Sequence, residues 1–155
     1  MAGASISIDY EFNDQRIIDA LKRLERAGAD MEPAFMDIGE SLLNSHRDRW
    51  DQQVSPDGEA WEPLSEKYRA RKKKNKDKIL VLEGFTRDTL SYNSFNDGLE
   101  LGTNRTEKGF PFPIAHQLGS EKNNLPARPF LGLSEADEQM IMDTLEDHFD
   151  LALRG

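Results

Sequence analysis

The stretch YNSFNDGLELGTN, residues 92–104, decides the fold class. Tyr92 to Phe95 reads as a strand. Asn96-Asp97-Gly98 follows as a hairpin turn built from residue types that accept positive φ, and LELGTN is the return strand. A second strand signal stands near the N-terminus, where SISIDYEF alternates Ile6, Ile8 and Tyr10 on one face. The segments around these strands carry helical patterns, so the expectation is an α+β fold: a small antiparallel sheet packed against N-terminal helices and a C-terminal helix, in a single domain over 1–155.

The first helix is predicted to start at Asn13 as cap, to run on an apolar stripe of Ile17, Ile18, Leu21 and Leu24, and to stop at Gly28. A second opens near Pro33, which a first turn tolerates, with Phe35, Ile38, Leu42, His46 and Trp50 along one face. His46 therefore reads as a satisfied core or interface histidine. Ser55-Pro56-Asp57-Gly58 is a strong turn signal, followed by Trp61 and Pro63. Ser65 can cap a short helix running into the basic segment. ILVLEGF, 79–85, is an apolar run of either type, and Thr86 to Leu90 fits one helical turn. EKGFPFPIA is predicted as a loop, because Pro111 and Pro113 oppose regular structure. Ser134, with Asp137 three residues on, forms a capping box for a last helix with a stripe of Ile141, Leu145, Phe149 and Ala152.

The chain has 155 residues, an ordinary length for one domain. Hydrophobic residues make up 37% and charged residues 32%, a wet balance that leaves surface to be covered in an assembly. No apolar run is long enough for a membrane span, and MAGASISIDYEF lacks the pattern of a signal peptide. With no cysteine there are no disulfides and no thiolate metal sites, which fits a reducing compartment. The net charge of −9 is uneven: KYRARKKKNKDK, 67–78, sets eight basic residues against one acid, so the remainder is more acidic still. That segment reads as a solvated or partner-ordered basic loop. Without glycine or aromatic interleaving it is a weak nucleic-acid signal.

Catalysis has little to stand on. A nucleophile needs a base in reach and a group to orient that base. There is no nucleophile-elbow motif and no phosphate-binding loop, and His46, His116 and His148 stand in three different segments without metal-pair spacing. The prediction is a non-enzyme with no catalytic, cofactor-binding or metal-ligating residues.

HQLGSEKNNLPARPFLGLSEAD, 116–137, carries more. Gly119 ends a helical turn. Pro126 and Pro129 stiffen the chain on either side of Ala127-Arg128 and push the residues before them to extended geometry. LPARPFL is thus a rigid arm that presents Arg128, suited to a carboxylate, and buries Phe130 and Leu131. It serves either as an interface or as an internal brace with Arg128 paired in its own chain. The candidate interface residues are Arg128, Phe130, Leu131, His116 and Trp61, with Lys72, Lys73 and Lys74 in the basic segment.

SPDGEAWEPLSEKY, ILVLEGFTRDTL, AHQLG and LPARPFLGLSEAD, in that order from about Trp50 to the C-terminus, resemble the virion morphogenesis (tail completion) family of Mu-like tailed bacteriophages. LEGF and FPFPIA depart from the family's usual residues at those places. The resemblance implies a structural virion protein at the tail end or neck, assembled in the host cytoplasm, that completes the tail and supports head–tail joining. It further implies a homo-oligomeric ring, commonly six-fold and consistent with head-to-tail contacts that close. Its partners would be further copies of itself, the tail tube protein and head–tail connector proteins. Genome DNA would pass through the channel without sequence-specific binding, and no membrane or cofactor is implied. The alternative is a nucleic-acid-binding accessory factor acting through 67–78; a small hydrolase is the third reading.

Overall fold

A computed structural model describes residues 14–73, 85–103, 112–122 and 124–154. Its elements run α1 (Gln15–Arg26), α2 (Glu32–Gln52), α3 (Glu66–Arg71), α4 (Phe85–Asp88), β1 (Ser91–Phe95), β2 (Gly98–Gly102), α5 (Phe112–Leu118) and α6 (Glu135–Arg154). The fold class is α+β, with β1 and β2 forming a two-stranded antiparallel hairpin. The expected strand over Ile6 to Tyr10 and the ILVL run lie outside the described residues.

The chain divides into two compact units, each assembled from separated segments. Described residues of the first lie within His46–Ser91 and Gly102–Gly132, and those of the second within Asp9–Ser45, Tyr92–Leu101 and Leu133–Gly155. Helix α2 contributes its N-terminal turns to the second unit and its last turns to the first.

The second unit holds a helix core. Ile17, Ala20 and Leu24 of α1 meet Ala34, Phe35, Ile38 and Leu42 of α2 and Ile141, Met142 and Leu145 of α6. Ile17 and Leu145 are wholly buried, each contributing about 1.5–3 kcal/mol. Leu99 and Leu101 of β2 lie against the same cluster, so the hairpin is packed on the helices as expected. Tyr92 of β1 lies against Gly39 of α2, where a β-carbon would meet its ring. Arg23 sits over the Phe149 ring at 5.0 Å, and His148 pairs with Asp37 at 2.6 Å.

Local signals account for the helix ends, with some corrections. The cap of α1 is Asp14, not Asn13: its carboxylate accepts from the Arg16 amide at 3.0 Å. Gly28 takes φ +66 just past the helix, where only a residue without a β-carbon is unstrained. Ser134 and Asp137 form the reciprocal box, each accepting the other's backbone N–H at 3.0 Å. Helix α5 contains Pro113, so that part of the expected loop is helical; proline is tolerated in a first turn, whose amides lack intrahelical partners. In the hairpin, Asn96, Asp97 and Gly98 all avoid positive φ. The hairpin therefore forms without the positive φ that these residue types accept.

Candidate functional site

The first unit is organised around the arm that follows α5. Its base is the turn after α2. Gly58 N–H donates to the Ser55 carbonyl at 2.9 Å, Ser55 N–H to Glu59 at 2.8 Å and Trp61 N–H to Gln53 at 2.9 Å. Gly58 at φ +85 and Gln53 at φ 60 let the chain reverse there. The reversal places Trp61 beside Trp50, edge to face with centroids 5.5 Å apart, and Phe130 closes on Trp50 at 4.9 Å. Trp50, Trp61 and Phe130 are 2%, 4% and 2% exposed, so this aromatic trio is part of the core of the unit.

The arm is held by side chains from distant segments. Trp61 donates its indole N–H to the Pro129 carbonyl at 2.7 Å. Gln117 accepts from the Phe130 and Leu131 amides at 2.9 and 3.0 Å and donates to the Leu131 carbonyl at 3.1 Å, reading the extended backbone as a neighbouring strand would. Arg49 donates to the Gly132 carbonyl at 2.9 Å, and His46 Nε2 accepts from the Gly132 amide at 3.3 Å. The Arg128 amide donates to the His116 carbonyl at 2.7 Å. Gly119 at φ +78 runs so close to Ala127 that a β-carbon would lie 3.0 Å from its backbone nitrogen.

Arg128 is the central correction. It is 4% exposed and its guanidinium donates to two backbone carbonyls, Glu62 at 2.8 Å and Pro63 at 3.1 Å, in place of the expected carboxylate. A fork of N–H donors suits two adjacent carbonyls as well as it suits a carboxylate. Of the two readings of the arm, the structure supports the internal brace. Phe130, Leu131 and Trp61 are buried in the same unit, so these candidate interface side chains face inward. His116 is partly buried and its pKa is lowered to about 4, by burial first and then by the Arg128 charge. Burial also pushes Arg128 down from the usual arginine range.

The basic segment opens as expected and departs from expectation at Lys72. Its first part is helix α3, capped by Ser65, whose hydroxyl accepts from the Tyr68 amide at 3.2 Å. Lys72 is 5% exposed and its pKa is lowered by burial, so it is an interior lysine and not an exposed contact. Lys73 is exposed, and Lys74 to Lys78 lie outside the described residues. His46 behaves as the sequence suggests, buried and hydrogen-bonded. Sequence reading passed over Gln117 and Arg49, since a polar residue's distant backbone partner leaves no mark on its neighbours; the only signal for Gln117 was its place in the AHQLG element.

Chemically this arrangement locks one conformation. Trp61, Gln117, Arg49, His46 and Arg128 all bond backbone in the clamp, and among the described residues no group of three His, Asp or Glu is placed to hold a metal ion. Among the same residues no helix is long and apolar enough to cross a membrane.

The chain belongs to the phage virion morphogenesis family, whose profile matches residues 12–150. It is 28% identical over 153 residues to the Mu-like prophage FluMu G protein 2 of Haemophilus influenzae, covering 95% of this chain and 99% of that protein. It is 27% identical over 124 residues to the putative capsid assembly protein G of Escherichia phage Mu, covering 74% of this chain and 76% of that one. No solved structure matches it. The family is one of phage particle assembly and not a known enzyme family, so the chain is a virion-associated assembly protein.

Proposed function

We propose that the protein forms a closed homo-oligomeric ring at the tail end or neck of the phage particle, completing the tail and supporting head–tail joining. The observation that carries this reading is the family match across 12–150. The name of the phage Mu relative refers to capsid assembly, and the neck is where a capsid and a tail meet. In this reading the ring is six-fold, as the family resemblance implies, and is consistent with head-to-tail contacts that close. It contacts the tail tube on one side and head–tail connector proteins on the other, and genome DNA passes through without sequence-specific contacts.

The test is a phage lacking this gene. Expected are separate filled heads and unfinished tails, rescued by supplied protein, with antibody label on rescued particles at the neck. Normal joined particles, or label confined to another part of the virion, would sink the reading. A second reading, a nucleic-acid-binding accessory factor, is favoured by the exposed Lys67, Arg69 and Arg71 of α3; it requires salt-dependent retention on DNA.

A further inference from the structure

Two surface features break ordinary rules in complementary ways. Helix α3 is only six residues long and buries none of them. A helix that short is not self-supporting in water, and helices in proteins gain their stability chiefly from a packed face. Lys67 and Arg71 stand four residues apart on it, both exposed.

The second feature is the end of α6. Leu151 and Leu153 are 61% and 67% exposed. Asp147 and Asp150 flank them, also exposed, in the last turns of the helix. Acids there oppose the helix dipole, whose negative end favours cations; Arg154 is the only basic residue in the final turn. Leu151 also rims a hollow of about 360 Å³ with Leu24, Met31 and Ala152. Exposed leucines among misplaced acids form a surface suited to long cationic side chains.

We propose that α3 of one copy docks across the C-terminal turns of α6 of a second copy. The aliphatic stems of Lys67 and Arg71 cover Leu151, and their charged heads meet Asp147 and Asp150. The occupant is a second copy because charge complementarity is supplied by the chain itself: eight of its twenty basic residues fall within 67–78, and the rest is acidic enough to hold the net charge at −9. Such a contact uses different surfaces on its two sides, so it repeats head to tail. The inference deepens the ring reading and rests on it.

The absence of native cysteine gives a clean test. Ala70→Cys and Ala152→Cys are made in separate full-length proteins; both positions are exposed, so folding is preserved. The two are mixed at about 1 mM, where even a millimolar contact is substantially populated, and treated with a short thiol cross-linker. A heterodimer is expected. Adding Lys67→Glu with Arg71→Glu to the first protein should lower its yield about tenfold, and adding Asp147→Lys with Asp150→Lys to the second should restore it. No heterodimer, or one indifferent to both charge reversals, overturns the pairing. A ring seen by native mass spectrometry without this cross-link leaves the ring reading standing and removes the contact. The cross-link in a protein absent from the neck does the reverse. DNA retention abolished by Lys67→Glu with Arg71→Glu, with no cross-link, assigns α3 to nucleic acid and overturns the proposal.

Discussion

Trp61 donates its indole N–H to the carbonyl oxygen of Pro129 across 2.7 Å, joining segments 68 residues apart. The bond fixes the aromatic trio and the arm together: the ring that packs on Trp50 also holds the backbone that delivers Phe130. Trp61→Phe keeps most of the packing and removes the donor, leaving a part-buried carbonyl unsatisfied. The expected loss is about 1–3 kcal/mol in denaturant unfolding. An unchanged midpoint would show that water replaces the indole and that the trio is held by packing alone.

Arg128 is expected to matter for folding more than for assembly. Arg128→Ala strands two carbonyls, those of Glu62 and Pro63, at a cost of about 2–4 kcal/mol. Arg128→Lys should recover only part, because one ammonium cannot reproduce the planar fork. Thermal unfolding of the free protein separates the cases: a normally folded Arg128→Ala protein that fails to join particles would return Arg128 to an interface.

His116 gives the fold a pH dependence with a definite sign. Its folded pKa, about 4, lies below the ordinary value of 6.5, so the unfolded chain binds the proton more readily. The stabilising contribution is fully present above about 6.5 and is lost as pH falls from there to about 4. His116→Gln should flatten the stability profile in that window and leave it unchanged at pH 8. Equal slopes for the two proteins between those pH values would show that His116 is not the group responsible.

Gly39 is the contact point between α2 and β1 in the second unit. Alanine is the better helix former by about 1 kcal/mol, but its β-carbon would sit in the Tyr92 ring, within 2.7 Å of Cε2. The clash should win, with Gly39→Ala destabilising by about 1–3 kcal/mol. Tyr92→Leu in the same protein should relieve part of this, giving a measurable coupling in a double-mutant cycle. A stabilised Gly39→Ala would mean that the ring swings aside freely.

The sequence by itself determined what short-range physics determines. The place of the hairpin about Asn96-Asp97, the apolar stripe from Phe35 to Trp50, the reversal at Ser55 to Gly58 and the box of Ser134 with Asp137 are set by turn-residue type, helical period and capping within a few residues, though the hairpin turn does not use the positive φ its residues accept. The order of motifs from Trp50 onward carried the family. Tertiary structure decided which polar atoms meet. The prolines made the arm stiff in any fold, but that Arg128 finds the Glu62 and Pro63 carbonyls, 66 and 65 residues away, and not a carboxylate, follows only when the Trp50–Trp61 packing has placed that backbone there. The same holds for the His46 to Gly132 bond across 86 residues and for the burial of Lys72 within a segment that reads as solvated. Residue type fixes what a side chain can bond; the partner is chosen by long-range packing, which leaves no periodicity in the chain.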